Sequence, residues 1–110
     1  MALKTSDPFQ AIADNSRRTM LTLLSKETLS INELAENFDI SRPAVSKHIK
    51  VLNEAGFITI TGHGRERLCA LNPQGFIELR KWLDYYDQFW KGKMMSLEQL
   101  LIKRSKNKMP

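Results

Sequence analysis

Two short helices in tandem, each with its own start signal, constrain the fold of this chain more than any other feature. Ser30 and a glutamate three residues later have the spacing of a capping box, which predicts a helix beginning at Ile31. Ser41 is a second N-cap, Pro43 lies in the first turn of the next helix, and Gly56 is placed to end it. With a turn of about three or four residues between them, the two helices form a predicted helix-turn-helix.

The second of these helices is predicted to have one apolar face and one hydrogen-bonding face. At about 100° per residue, Val45, Ile49 and Leu52 fall within about 60° of one another and are expected to pack on the preceding helices. The other half carries hydrogen-bond donors and no acid before Glu54. Such donors can meet the base edges in the major groove of DNA, so this helix is predicted to enter that groove. The candidate base contacts are Arg42, Ser46 and Lys47, with Ser41 and Pro43 setting the entry of the helix.

A β-hairpin is predicted directly after this helix, over about residues 57–71. Its strands are the segments "FITI" and "RLCAL", and the segment between them, "TGHGRE", contains two glycines. Alternation places Arg65 and Arg67 on the same side, which favours contact with DNA phosphates or a minor groove over two merely solvated charges. His63 lies in the same turn and is a further candidate for DNA contact. A helix-turn-helix followed by such a hairpin is a predicted winged helix.

Three further helices are predicted, which makes the chain mainly α, with about five helices and a small two-stranded wing. Asp7 is a cap for a first short helix that ends near Ala13, and Asp14 or Asn15 caps the second. Pro73 stands at the first position of a long terminal helix. We expect a single domain over residues 1–110, with the helix-turn-helix at about 31–55, the terminal helix at about 73–103 and a frayed basic tail at 104–110.

The terminal helix has an apolar stripe that is longer than one small body can cover. Its apolar residues recur every three or four positions over about 30 residues, with Gly92 as an expected kink. An exposed stripe is an aggregation liability unless a partner covers it, so a symmetric homodimer is predicted, in preference to a helix folded back on its own core. Alternatively, the aromatic residues could frame a cavity for an apolar ligand. The predicted interface residues are Phe9, Ile12, Leu79, Leu83, Tyr86, Trp90, Met94, Leu97 and Leu101.

The charge of the chain agrees with a nucleic-acid partner. Lysine and arginine number 17 against 12 aspartate and glutamate, which gives a net charge of +5. His48 lies near the edge of the apolar face, so core packing and a phosphate contact are both open to it. Lys50 is expected to hold a phosphate, as are Arg65 and Arg67 on the wing. The alternative to double-stranded DNA is an acidic protein partner, with the winged helix acting as an interaction module.

Three segments of the chain carry a specific pattern. They are "ADNSRRTMLTLL", "LSINELAENFDISRPAVSKHIKVLNEAGFI" and "GRERLCALN". The most specific parts are the serine-x-histidine element at Ser46 and His48, the segment Leu52–Ile58 and the opening at Ala13–Leu21. The chain therefore resembles the arsenical-repressor (ArsR) family of bacterial winged-helix regulators. The resemblance implies a homodimeric repressor of transcription whose two recognition helices enter successive major grooves of a pseudo-palindromic operator.

The resemblance also implies where a sensing metal would bind, and the ligands are missing at both places. Members that bind arsenic, cadmium or lead carry a Cys-x-Cys pair before the recognition helix, whereas the matching stretch, "INELAENF", has no cysteine. The other family site needs histidine as well as acids on the terminal helices, and this helix has Asp84, Asp87 and Glu98 but no histidine. Oxygen ligands alone make a poor zinc site, so no metal and no cofactor are expected.

Nothing in the sequence indicates an enzyme. No nucleophile, base and orienting group form a set, and no glycine-rich phosphate loop occurs. Asp84 and Asp87 are interpreted as part of a solvated helix face, and Cys69, in an apolar strand, as a core residue in preference to a reactive thiol. A single cysteine, with no signal peptide and no apolar run of membrane length, predicts a cytoplasmic protein.

Overall fold

Within residues 7–108 the fold is mainly α, with five helices and one small antiparallel sheet. The computed structural model describes the backbone of these residues and the side chains of residues 7–104. The chain divides into two compact units, one ending at Leu79 and the other starting at Arg80, and the single domain stays a prediction. The helices are α1 (Pro8–Ala11), α2 (Asn15–Leu24), α3 (Ile31–Ala35), α4 (Arg42–Glu54) and α5 (Pro73–Lys108), and the strands are β1 (Leu29–Ser30), β2 (Ile58–His63) and β3 (Glu66–Leu71).

Side-chain caps determine where the first four helices begin. The capping box at Ser30 is complete: Ser30 Oγ accepts from the Glu33 N–H at 3.1 Å, and Glu33 Oε1 accepts from the Ser30 N–H at 2.8 Å. Each cap satisfies backbone donors that the first turn leaves unpaired and contributes about 1 kcal/mol. At α5, Asn72 Oδ1 accepts from the Gln74 N–H at 3.1 Å. The other N-caps are Asp7 and Ser41, as predicted, and Asp14, one of the two predicted alternatives.

The predicted hairpin is confirmed, and a third strand joins it. Strands β2 and β3 pair from Ile58 opposite Leu71 to His63 opposite Glu66. Gly64 adopts a φ of +65° in the two-residue turn, a conformation that glycine takes without strain. Strand β1 pairs with the other edge of β3, so the strand order is β1-β3-β2.

The core of the first unit lies between α2, α3, α4 and the sheet. The Phe57 ring is fully buried and meets the edge of the Phe76 ring at a centroid distance of 4.8 Å. Leu79, on the first turns of α5, packs partly against the same core. This core holds α4 in place by its apolar face. Its buried residues are Ala11, Met20, Leu21, Leu24, Leu34, Val45, Ile49, Leu52, Ala55, Phe57, Ile58 and Cys69.

We expect Gly75→Ala to destabilise the fold by about 1–3 kcal/mol, because α5 approaches the Phe57 ring too closely for a methyl group. A Cβ at Gly75 would lie 2.8 Å from Phe57 Cδ1 and 2.9 Å from Cγ. The ring has no exposed surface and cannot move aside. Chemical denaturation gives the measurement. Gly92→Ala is the matched control because nothing lies within 4 Å of that position, and a loss there as large as at Gly75 would contradict the packing explanation.

The two helix ends that differ most from the sequence expectation are those of α3 and α5. Helix α3 ends at Ala35, so residues 36–41 connect it to α4, a longer connection than predicted. The helix gives way there to tighter turns, in which the Asn37 and Phe38 N–H groups donate to carbonyls three residues back, at 3.1 and 3.2 Å. Helix α5 continues through Gly92 as far as Lys108, beyond the end expected at about residue 103, and fraying of the basic tail stays a prediction. The lysines and arginine of this segment favour a helix, and no glycine or proline interrupts it before Pro110.

Candidate nucleic-acid interface

Helix α4 has the two faces that its sequence predicts. Val45, Ile49 and Leu52 are buried, with exposed fractions of 0%, 2% and 0%. Ser41 Oγ accepts from the Ala44 N–H at 3.3 Å and begins the helix. Because the apolar face is anchored in the core, the opposite face is presented to solvent. The exposed residues on α4 and its cap are Ser41, Arg42, Pro43, Ser46, Lys47 and Lys50, followed by Asn53 and Glu54 at the far end of the helix.

Five cations on α4 and the wing are exposed and have no internal partner. None of their side chains forms an ion pair or a hydrogen bond in the part of the chain that the structure describes. Buried or paired cations would already be neutralised, whereas these five keep their full capacity to bind an anion. The five are Arg42, Lys47, Lys50, Arg65 and Arg67.

The start of α4 and the wing line a small cleft together. Its volume is about 120 Å³, and its lining includes Arg42, Arg65 and Arg67. Asn32, near the start of α3, contributes an amide, and Glu66 is the one acid in the lining. Three arginines around a cleft of this size suit a phosphate group, which guanidinium groups bind with paired hydrogen bonds. The sequence placed Arg65 and Arg67 on one side of the hairpin, and the structure adds Arg42 to them.

His48 differs from its neighbours on α4 because its ring faces the protein. Its side chain is 21% exposed, and Nδ1 lies 3.0 Å from Nη1 of Arg17 on α2. Nε2 lies 4.0 Å from Oδ2 of Asp14, the N-cap of α2. A phosphate contact by His48 stays a prediction.

Arg17 is the residue that the sequence analysis missed. The periodicity of α2 alone predicts that Arg17 lies on the wetter side of the helix, whereas the structure leaves it only half-exposed. Its Nε donates to the Ala11 carbonyl at 2.6 Å and its Nη2 to the Gln10 carbonyl at 3.2 Å. Both carbonyls lie at the end of α1, where helical carbonyls lack partners within the helix. The sequence contains one indication of this contact: Arg17 follows Ala11, at the end of α1, by only 6 residues.

The cap of α2 predicts a dependence of stability on pH. The Arg17 N–H donates to Asp14 Oδ2 at 3.1 Å and lowers the pKa of Asp14 below its usual value, against the opposing effect of burial. Because the pKa of Asp14 is lower in the folded than in the unfolded protein, its charge stabilises the fold above about pH 4. This contribution is lost as the pH falls through the pKa of Asp14 in the folded protein. We expect Asp14→Asn, which keeps the cap without the charge, to cost under about 1 kcal/mol at pH 7.

The measurement is the free energy of unfolding of both proteins from pH 7 to pH 2. The difference between wild type and Asp14→Asn should shrink below about pH 4. Asp7→Asn is the control, since Asp7 caps the short α1 and does not approach His48. A constant difference down to pH 2 would contradict the role given to the Asp14 charge.

Two candidate residues remain, His63 and Cys69. His63 is exposed at the end of β2, directly before the wing turn. Cys69 is fully buried, and burial raises the pKa of its thiol, which agrees with a core residue. Its pairing opposite Leu29 and Ile60 places it in the middle strand of the sheet.

The second unit is a single helix with an exposed apolar stripe. Every residue from Arg80 to Arg104 is exposed. The polar side carries the ion pairs Arg80–Asp84 at 3.1 Å and Lys91–Asp87 at 3.5 Å, so these two acids belong to a solvated face. The predicted interface residues Leu83, Tyr86, Trp90, Met94, Leu97 and Leu101 are between 40% and 57% exposed. In the first unit Phe9 is 39% exposed, whereas Ile12 and Leu79 pack partly on their own core.

The fold and the cationic surface together define a winged helix-turn-helix protein that binds DNA. The sequence model of the family described as "Bacterial regulatory protein, arsR family" matches residues 14–59. The chain is 38% identical over 93 residues to the HTH-type transcriptional regulator Rv2034 of Mycobacterium tuberculosis, covering 84% of each protein. The chain belongs to the ArsR family of transcriptional regulators, and neither the family nor this relative is described as an enzyme.

Two further comparisons support the family. The transcriptional repressor SdpR of Bacillus subtilis is 32% identical over 75 residues, covering 68% of this chain and 83% of the relative. The crystal structure of an ArsR family transcriptional regulator, RHA00566, aligns with a TM-score of 0.73 at 35% identity, covering 81% of this chain and 98% of the other. The predicted resemblance and the winged-helix fold are therefore confirmed.

The described residues provide neither a candidate metal site nor a helix able to span a membrane. Within residues 7–104, no group of three or more histidine, cysteine, aspartate or glutamate side chains is arranged to hold a metal ion. None of the helices described for residues 7–108 combines the length and the apolar character that crossing a membrane requires.

Proposed function

We propose that this protein represses transcription by binding, as a homodimer and without a metal ion, to a pseudo-palindromic operator in the cytoplasm. The observation that carries the proposal is the set of five exposed cations without internal partners on α4 and the wing. They lie on the helix that enters the major groove in winged helix-turn-helix proteins and on the hairpin that follows it. Repression is supported by the relative named as a transcriptional repressor.

The residues of the interface divide into two roles. Arg42, Ser46 and Lys47 lie on the exposed face near the start of α4, where a helix inserted into the major groove meets base edges. Lys50, Arg65 and Arg67 are proposed to hold backbone phosphates, with His48 and His63 at the margins of the same surface. Arg42 also lines the cleft with the wing arginines, so it is the residue that joins base contact to phosphate contact.

The homodimer is supported by the surface of α5. At about 100° per residue, the large apolar residues from Trp82 to Leu101, apart from Tyr85 and Met95, fall within about 140° of the helix circumference. All of them are exposed, and a contiguous exposed apolar surface of this kind marks an interaction site. A second copy offers an identical stripe, and a two-fold dimer matches the two half-sites of a palindrome.

Arg42→Ala and Lys50→Ala should affect DNA binding in different ways. We expect Arg42→Ala to cost about 1–3 kcal/mol for the preferred site and to relax its sequence preference, because a base contact is lost. Lys50→Ala should weaken binding to all duplexes alike and lower the salt slope by about 1, because a phosphate contact is lost. Fluorescence anisotropy with specific and random duplexes, each at several salt concentrations, gives both quantities.

The opposite pattern would contradict the assigned roles. A uniform loss on all duplexes from Arg42→Ala, with sequence preference intact, would make Arg42 a phosphate contact. Lys91→Ala is the matched control, since Lys91 is an exposed lysine that pairs with Asp87 on α5. It should leave both affinity and salt slope unchanged.

A regulator that responds to an apolar ligand is a second candidate, and one observation favours it. A groove of about 830 Å³ on α5 is lined mainly by Trp82, Leu83, Tyr86 and Trp90. If the groove binds a ligand in the dimer, an apolar fluorescent dye should bind with micromolar affinity and release operator DNA. If the second copy covers the groove, the dimer should leave the dye unbound.

A further inference from the structure

The side chain of Arg17 joins three parts of the first unit. Its guanidinium donates to the Ala11 and Gln10 carbonyls at the end of α1, and to His48 Nδ1 on α4 at 3.0 Å. Its backbone N–H donates to Asp14 at the start of α2. The planar guanidinium of Arg17, a residue of α2, therefore connects the end of α1 to the recognition helix through rigidly placed donors.

The chemistry of arginine determines the state of the His48 ring. Arginine can only donate, so His48 Nδ1 must accept, and the neutral ring carries its proton on Nε2. Nε2 is the nitrogen on the side of Asp14 Oδ2, 4.0 Å away. The two ring nitrogens thus face two charged groups of opposite sign, Arg17 and Asp14, which leaves a single orientation for the ring.

The position of His48 on α4 gives this contact a consequence for DNA binding. His48 directly follows Ser46 and Lys47, two of the proposed base contacts, and precedes Lys50. The apolar face of α4 fixes its depth, since buried aliphatic side chains resist displacement in a close-packed core. The same packing limits rotation about the helix axis, and a directional hydrogen bond from Arg17 to the edge of that face narrows the rotation further than non-directional aliphatic contacts do.

We propose that Arg17 is a positioning residue for DNA recognition, which holds α4 at the rotation that aims its donors at base edges by bonding His48 to the end of α1. The inference rests on the proposed function and assigns Arg17 no contact with DNA. Its effect falls on discrimination between DNA sequences, because base contacts depend on angle more strictly than contacts with the flexible phosphate backbone do.

Arg17→Lys tests the proposal, because lysine keeps the charge and loses the fork of donors. We expect about tenfold weaker binding to the preferred duplex, unchanged binding to random duplexes and an unchanged salt slope. In nitrogen-15 spectra of the His48 ring, the Nε2–H tautomer should predominate in the wild type, and its signals should shift in Arg17→Lys. His63, which is exposed, serves as the reference ring.

Arg18→Lys is the matched control. Arg18 is the neighbouring arginine and also donates to a carbonyl after α1, that of Ile12 at 2.6 Å, but it does not reach His48. Its replacement should leave the ratio of specific to random binding unchanged. The melting temperature of each variant separates a loss of global stability from a loss of discrimination.

A double-mutant cycle completes the test. In a His48→Ala background, Arg17→Lys should have no further effect on discrimination, because the bond it breaks is already absent. An equal fall in affinity for all duplexes in Arg17→Lys, with the sequence preference intact, would overturn the proposal and make Arg17 a phosphate contact. Unchanged discrimination in Arg17→Lys would overturn it alone, whereas a wild type that prefers no sequence would overturn the proposed function and this inference with it.

Discussion

Leu97→Glu should convert the proposed homodimer into a monomer and weaken binding to the proposed operator by at least about 100-fold. Leu97 lies in the middle of the apolar stripe of α5 and is 46% exposed in the single chain. In a symmetric interface, each substitution buries two carboxylates without partners, and an unpaired buried charge costs about 3–5 kcal/mol. A monomer engages one half-site only, so it loses the gain in affinity that comes from linking two binding sites. Analytical ultracentrifugation gives the oligomeric state, and anisotropy with the operator gives the affinity.

Met95→Glu is the matched control for this prediction. Met95 is a neighbouring exposed apolar residue of α5, but it lies on the opposite face of the helix, where its neighbours one turn before and after are Lys91 and Glu98. The Met95→Glu variant should remain dimeric and bind the operator as the wild type does. If both variants were dimeric, the stripe would not be the interface, and if both were monomeric, the interface would extend around the helix.

Leu52→Ala will reduce the free energy of unfolding by about 2–5 kcal/mol, a large part of the stability of a domain this size. Leu52 has no exposed surface and belongs to the apolar face by which α4 packs on the core. Its truncation leaves a cavity under the helix that carries the proposed base contacts. Urea denaturation measures the loss, and DNA affinity measured well below the midpoint shows what remains of recognition.

Ile40→Ala provides the comparison, because Ile40 is 40% exposed in the connection before α4. Removing a partly solvated side chain should change stability by no more than about 0.5 kcal/mol. An equal loss at both positions would mean that burial does not determine the stability of this unit.

Helix starts were the most predictable part of the fold. Asp14, Ser30 and Ser41 cap helices in the structure because a short polar side chain followed by an apolar pattern specifies both where a helix begins and which face it buries. The two faces of α4 follow from the same periodicity. The cations of α4 and the wing could therefore be named from sequence as a group, although their roles in DNA binding stay predictions.

The features that were missed depend on contacts between distant residues. Strand β1 is two residues long and exists because the edge of β3 lies beside it, which no local pattern indicates. A helical wheel predicts that Arg17 faces solvent, because it carries no information on the carbonyls at the end of α1. The hydrogen bond to His48 joins residues 31 apart in the chain, so no local pattern indicates it either. The cleft shared by Arg42 and the wing arginines likewise arises only once the hairpin is folded against the helix-turn-helix.

Selection of bound sequences from a random duplex pool tests sequence-specific DNA binding most directly. The wild-type chain would be used with and without zinc, and the enriched site would then be titrated across salt concentrations. We predict an inverted repeat whose half-sites lie about one helical turn apart, the same site in both zinc conditions, and an affinity that falls steeply with salt. Equal binding to all sequences, or a site that appears only with zinc, would contradict the proposed metal-independent repressor.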